Sequence, residues 1–311
     1  MTRITLILFK FLVGFLLAAY VLASVDLGST SDLLLATDIA FMIPSVALMA
    51  LALLGNAARW LVVTTILTPP IGVGTAILGT FEAVFFQQIL PTGLGGDVSR
   101  TLRARDAGAS MSQAVYGVII DRANGLLFVA LSILGSGLLS NSLVLNSGLF
   151  WTLLCCSAGI ALGALVAIFT SHLVCTKRLP RPIAALFQLA QEYSRCMRSV
   201  NFLLLTLACL LISNALYISS FKYCALAVGV PIGWWDAIII VQGMVLVTVI
   251  PVSIGGWGLR EGAALLLFTP LHIDPSGAVA VSVLFGLVLT FLAAIGGVLW
   301  LAFGYKRLKH S

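Results

Sequence analysis

Charge is scarce in this chain. Only 9% of its 311 residues are Asp, Glu, Lys or Arg, while 60% are hydrophobic, and the mean hydropathy is +1.13. No soluble domain could hide that much apolar surface, and no polar block is long enough to form a soluble catalytic domain. Histidine is nearly missing. His172, His272 and His310 are scattered without H-x-x-x-H or H-E-x-x-H spacing, so the sequence predicts no metal site and no cofactor. There is no G-x-S-x-G elbow and no Walker loop, which removes the signatures of serine hydrolases and P-loop NTPases. No C-x-x-C occurs either. Cys155, Cys156, Cys175, Cys196, Cys209 and Cys224 lie mostly in apolar runs and read as reduced core residues.

What is present reads as an all-α, polytopic membrane helix bundle. A helical crossing takes about 20 residues, so residues 1–311 have room for roughly seven to nine membrane segments in one integral membrane domain. The net charge of +6 gathers in short loops, as the positive-inside bias produces, and does not call for nucleic acid. Arg3 and Lys10 stand at the start of a first span, about Ile4 to Val25, too long and too poorly ended for a cleaved signal peptide. The following loop carries Asp26, Asp32 and Asp38 and no basic residue. With the basic tail Lys306 to Lys309, this predicts both termini in the cytoplasm and an even number of crossings. A second span, about Ile39 to Leu54, is expected to return to Arg59, with Trp60 as an interface anchor. Further spans are expected at Ala114 to Leu139, Leu149 to Thr170, Phe202 to Val228 and Val279 to Phe303. From Ile183 to Val200 apolar residues recur at helical spacing opposite Gln188, Gln191, Glu192, Arg195 and Arg198. That pattern predicts an amphipathic helix in the cytoplasmic interface, or a docking helix for a partner. Trp234 and Trp235 fit an outer aromatic belt.

One stretch occurs twice. Pro91-Thr92-Gly93-Leu94-Gly95-Gly96-Asp97-Val98-Ser99-Arg100 and Pro251-Val252-Ser253-Ile254-Gly255-Gly256-Trp257-Gly258-Leu259-Arg260 both read P-x-x-x-G-G-x-x-x-R. Each follows an apolar run, and Glu82 and Gln242 each stand nine places before the proline. Proline and paired glycine break a helix. Matching breaks in two halves of an apolar chain predict broken or re-entrant helices, a pseudo-repeat and a transporter-type site. Asp97 is placed to cap a short helix ending near Gly108.

Ionisable residues at membrane depth are costly and normally pair or face water. The candidates are Glu82, Asp97, Arg100, Asp121, Arg122, Arg260 and Glu261. They could simply neutralise one another and fix helix packing. Alternatively, Gly95, Gly96, Gly255 and Gly256 leave backbone N–H groups uncovered, and Arg100 and Arg260 add planar forks suited to phosphate or carboxylate. The two units would then hold an anionic head group, with Glu82 and Glu261 carrying protons or balancing charge.

Leu90 to Arg100, Asp121-Arg122 with Gly125-Leu126, and Pro251 to Gly262 together resemble the hallmark segments of the lysylphosphatidylglycerol synthase transmembrane region, the flippase-like family. The resemblance runs through nearly the whole chain in order. It implies a bacterial inner-membrane protein that translocates a lipid between leaflets, and it carries over Asp97, Arg100, Asp121, Arg122, Arg260 and Glu261 as site candidates. It does not reach the soluble aminoacyl-transferase domain of the synthases, so aminoacylation is not implied. Two other functions stay open: an accessory subunit that docks a lipid or glycolipid synthase at the cytoplasmic face, and a membrane enzyme acting on a lipid-linked substrate. The missing D-x-D pair counts against the enzyme.

Overall fold

The structure, a computed structural model, describes residues 19, 21, 23–67, 69, 71–90, 95–139, 143–146, 148–170, 180–249, 253 and 255–304. Most of the expected first span, residues 91–94 of the first repeat copy and 250–252 and 254 at the second, the expected link at 140–142 and the basic segments at 171–179 and 305–311 lie outside the described residues.

The described chain is helical, with no strand. Eleven α-helices follow in order: α1 (Leu27–Leu35), α2 (Ile39–Leu67), α3 (Val73–Ile89), α4 (Gly95–Asp106), α5 (Met111–Leu139), α6 (Gly148–Thr170), α7 (Arg181–Met197), α8 (Val200–Ala227), α9 (Trp234–Thr248), α10 (Leu259–Phe268) and α11 (Pro275–Leu299). Among the described residues α2, α5, α6, α8 and α11 are long and apolar enough to cross a membrane. α3 and α9 are apolar but shorter, 17 and 15 residues. At 1.5 Å per residue they reach only about 25 and 22 Å, short of a hydrocarbon core of about 30 Å. Each is followed across its P-x-x-x-G-G break by a second short helix, α4 or α10, so the two interrupted pairs foreseen from the repeat are present.

Local chemistry sets several ends. Asp26 caps α1, its carboxylate accepting from the Gly28 amide at 2.9 Å and the Ser29 hydroxyl at 2.7 Å. Those hydrogen bonds, the Ser29 hydroxyl first, hold the Asp26 carboxyl below the usual range. The acidic loop after the first span therefore contains a short helix. Asp274 caps α11 through the Ser276 amide at 2.9 Å, with Pro275 at the first helical position. α4 ends at Asp106, and Gly108 takes a left-handed φ of +99° just beyond.

The core forms around α11, whose buried face is rich in alanine and glycine and admits close neighbours. Phe285 of α11 meets Phe221 and Tyr217 of α8 edge-on, each at 5.1 Å. α2 and α8 run antiparallel. Ser45 bonds Ser220 at one end, and Gly55 lies under Ser213 further along.

One expected boundary is corrected. α2 does not stop near Leu54 but continues to Leu67, so Arg59 and Trp60 lie within it. Trp60 is fully buried and is no interface anchor; it packs on Gly79 of α3. The helix can carry Arg59 inward because Asp121 meets it there. Trp60→Leu is therefore expected to cost about 1–3 kcal/mol, against less than about 0.5 for Trp235→Leu on the surface. Thermal melting of both variants in detergent checks the contrast, and equal shifts would contradict it. The amphipathic helix appears as α7, with Ile183 and Leu186 exposed and Tyr193 and Cys196 buried against neighbours. Of the described cysteines, Cys196 and Cys224 are buried, while Cys155 and Cys156 are exposed on α6. Those two are thus on the outside, not in the core.

Candidate functional site at the helix breaks

At the first break α4 folds back against α3. The approach is so close that a Cβ on Gly96 would lie 2.5 Å from the Ala83 carbonyl oxygen. The fold-back sets Ser99 and Arg103 beside Glu82, which is 1% exposed. Arg103 Nε donates to Glu82 Oε2 at 2.8 Å, its Nη2 pairs with Oε1, and the Ser99 hydroxyl donates at 3.2 Å. Glu82 is thus held by a two-point guanidinium fork, the strongest form of buried ion pair.

A neighbouring face of α4 contributes Asp97 and Arg100 to a chain of five charges. Arg59 of α2 pairs with Asp121 of α5 at 3.1 Å, and Arg100 Nη1 donates to the same carboxylate at 2.7 Å. Arg100 Nη2 reaches back to Asp97 at 3.3 Å, and Arg122 Nε closes on Asp97 at 2.7 Å. The Arg100 guanidinium also lies over the Trp60 ring, 5.7 Å from its centroid. Asp121 is wholly buried, whereas the Arg122 side chain is 39% exposed, so the chain runs from the interior to an open end. In this chain three guanidinium groups share two carboxylates, Asp97 and Asp121. Arg100 Nε, also buried, has no hydrogen-bond acceptor among the described residues. Gly117, one turn before Asp121, is buried, yet a Cβ there would meet no atom within 4 Å, which leaves open space on the Asp121 side of α5. Asp97 was expected to cap α4. It instead lies in the first turn and gives its carboxylate to two arginines.

The second break is built differently. Gly255, Gly256 and Gly258 take φ of +60°, +81° and +82°, a left-handed turn that L side chains resist. Glu261 accepts from the Gly258 amide at 2.6 Å and from Arg260 Nη2 at 2.8 Å, with the Ser282 hydroxyl at 3.3 Å. Arg260 stacks on Trp257 at 4.5 Å and presses against Gly286 of α11. Arg260 and Glu261 are both 4% exposed, and the Gly258 amide at this helix start is met by the protein's own carboxylate.

The structure thus gathers Glu82, Asp97, Arg100, Asp121 and Arg122 around α4 and leaves Arg260 and Glu261 in a second cluster. Among the described residues no hydrogen bond or ion pair joins the two clusters. What connects the breaks is Gln88 of α3. Its Nε2 donates to Thr290 of α11 at 3.3 Å, and its Oε1 lies against Gly255. Arg59, Arg103, Gln88 and Trp257 join these clusters and were not singled out from the sequence. Arg59 had a usable signal, being the lone charge in an apolar helix of 29 residues.

A third polar group lies deeper. Gln242, the counterpart of Glu82, is 1% exposed and donates to Asn214 Oδ1 at 3.2 Å. Asn124 of α5, 4% exposed, stands one turn past Asp121.

Fold and clusters together define a multi-pass helical membrane protein with buried ion networks at two helix breaks. Residues 7–297 match the family described as the lysylphosphatidylglycerol synthase TM region, and the chain belongs to that family. No curated protein matches the chain.

Proposed function

We propose that the protein moves an anionic or lipid-linked polar lipid between the leaflets of the bacterial inner membrane, with both termini in the cytoplasm. The observation that carries this reading is the Arg59–Asp121–Arg100–Asp97–Arg122 chain. It brings three guanidinium groups together around two carboxylates at a helix break, and its outer member is partly open. A phosphate entering at Arg122 would exchange with Asp97 as the partner of Arg122 and Arg100, which is cheaper than stripping a head group of all counter-charge. Membership of a family named for a lipid synthase supports a lipid as the cargo. Glu82 and Arg103 keep α4 folded on α3, and Arg260 with Glu261 holds α10 on α11.

Vesicles carrying a labelled form of the lipid that co-purifies with the protein, confined to one leaflet, provide the test. Arg100→Lys keeps the charge but loses the two-point fork, so the transfer rate is expected to fall roughly tenfold, and further in Arg100→Ala. Abundance and melting temperature are followed in parallel. Wild-type rates in a folded Arg100→Ala protein would remove Arg100 from the site. The exposed Ile183 and Leu186 on α7 favour a second reading, an accessory subunit of a lipid synthase. That reading gains if wild type moves none of the lipids found with it.

A further inference from the structure

The two interrupted pairs enter the bundle from opposite ends and meet. α3 runs antiparallel to α11. The Phe81 carbonyl lies against Gly296, the Phe85 ring against Gly297, and Gln88, two turns further along α3, reaches Thr290. α9 starts at the other end, because Val230, just before it, packs on Gly277 in the first turn of α11. At the second break Arg260 presses on Gly286, and the Ser282 hydroxyl reaches Glu261. The order along α11 is therefore Ser282 and Gly286 with the second cluster, Thr290 with Gln88, and Gly296 with Phe81, the neighbour of Glu82. At 1.5 Å per residue, Thr290 stands about 6 Å from the level of Gly286 and about 9 Å from that of Gly296. Gln88 thus sits between the two ionic clusters, where Gly255 abuts its Oε1.

This junction is weakly held. Gln88 Nε2 makes one neutral hydrogen bond, to Thr290 at 3.3 Å, and Thr290 itself donates to the Gly286 carbonyl at 2.8 Å. Gln88 Oε1 is buried and has no donor among the described residues. A Gly255 C–H is a poor substitute for an N–H. Stranding a carbonyl oxygen costs more than one neutral hydrogen bond returns, so the amide gains when water reaches it. The face of α11 on which both pairs rest carries Ser282, Gly286, Thr290, Ala293 and Gly297, all small, and offers little to obstruct a tilt.

We infer that Gln88 is a latch between the two halves of the bundle. Closed, its amide joins the tips of the interrupted pairs over Thr290. Cargo crosses when the amide lets go and the pairs part along α11. The inference rests on the transport reading above and adds the contact that has to open.

The test uses the full-length protein with its six native cysteines replaced by alanine. It is placed in vesicles of phosphatidylethanolamine and phosphatidylglycerol, with a fluorescent phosphatidylglycerol in one leaflet. Gln88→Cys and Thr290→Cys are joined by a short bifunctional methanethiosulfonate, whose disulfides a reductant opens again. The joined protein is expected to move no lipid above protein-free vesicles, and reduction is expected to restore transfer. The same linker between Ser45→Cys and Ser220→Cys, which touch away from the breaks, is expected to leave the rate unchanged. Two single variants separate a latch from a packing residue. Gln88→Met keeps the length and removes the stranded oxygen, so the closed form gains and transfer is expected to slow about tenfold with the melting temperature kept or raised. Gln88→Ala removes the obstruction and is expected to speed transfer. A packing residue predicts that both variants slow transfer as the melting temperature falls. Undiminished transfer by the joined protein, or a wild-type rate in Gln88→Met, overturns the latch and leaves the transport reading standing. If wild type moves no lipid, both fall.

Discussion

Replacing Glu82 with alanine is expected to remove about 3–5 kcal/mol of stability, the usual cost of taking one partner from a buried ion pair. Arg103 would be left 6% exposed with no carboxylate, and Ser99 would lose its acceptor. The guanidinium has no route to water short of pulling α4 away from α3. Because Gly96 lets those helices touch at the Ala83 carbonyl, even a small separation opens the whole contact. Removing both charges together is a different matter. Glu82→Leu with Arg103→Met fills the same space with apolar atoms and is expected to recover most of the loss. Melting temperature and membrane abundance of the single and double variants are the measurements. A Glu82→Ala protein as stable as wild type would show that the pair does not hold α4, and a double variant as weak as the single one would show that the charges themselves are required.

Arg59→Met is expected to act on transport rather than on folding. Loss of Arg59 leaves two guanidinium groups for two carboxylates, so Asp121 keeps Arg100 and no buried charge is abandoned. One buried positive charge is removed, however, and with it part of the attraction for an anion arriving at Arg122. A charge-assisted hydrogen bond is worth about 1.5–3 kcal/mol, so the leaflet-transfer rate is expected to drop about tenfold to hundredfold at near-normal abundance. Asp121→Asn should show the opposite pattern, because three arginines would then face one carboxylate in an apolar setting. Its loss is expected in abundance first. If Arg59→Met instead vanishes from the membrane while Asp121→Asn persists, the network is a packing device and Arg59 plays no part in holding cargo.

Much of the architecture was legible because it is written in composition and in local grammar. Apolar runs gave the long helices, the doubled P-x-x-x-G-G-x-x-x-R gave the two interrupted pairs, and the spacing from Ile183 to Val200 gave α7 within a few residues. The site was legible in its membership but not in its pairings. Asp121 and Arg122 are adjacent in the chain, yet they serve different partners because neighbouring positions on a helix point about 100° apart. Asp121 finds Arg59, 62 residues earlier, and no local pattern encodes that distance. Arg103 stands two places before Arg105 and three after Arg100, and nothing local marks it as a partner for Glu82. Only its place on the face of α4 that carries Ser99 distinguishes it, and that face has meaning only once α4 is known to fold on α3. Trp60 was misplaced for a related reason. A tryptophan beside an arginine looks like a membrane edge unless the arginine has a buried partner.

The paired glycines share their letters but answer to opposite demands. Gly96 has an ordinary helical backbone and no spare volume, since any side chain would enter the Ala83 carbonyl. Gly256 has nearly enough volume, its nearest neighbour being Thr248 Cγ2 at 3.3 Å from an added Cβ, but the wrong handedness for most residues. Asparagine tolerates left-handed backbone better than other side chains. It is therefore the least damaging replacement at Gly256 and among the more damaging ones at Gly96. Any substitution scale that scores the two G-G pairs alike must misjudge one of them, and any search for symmetry between the two halves will find it in the lettering more readily than in the backbone.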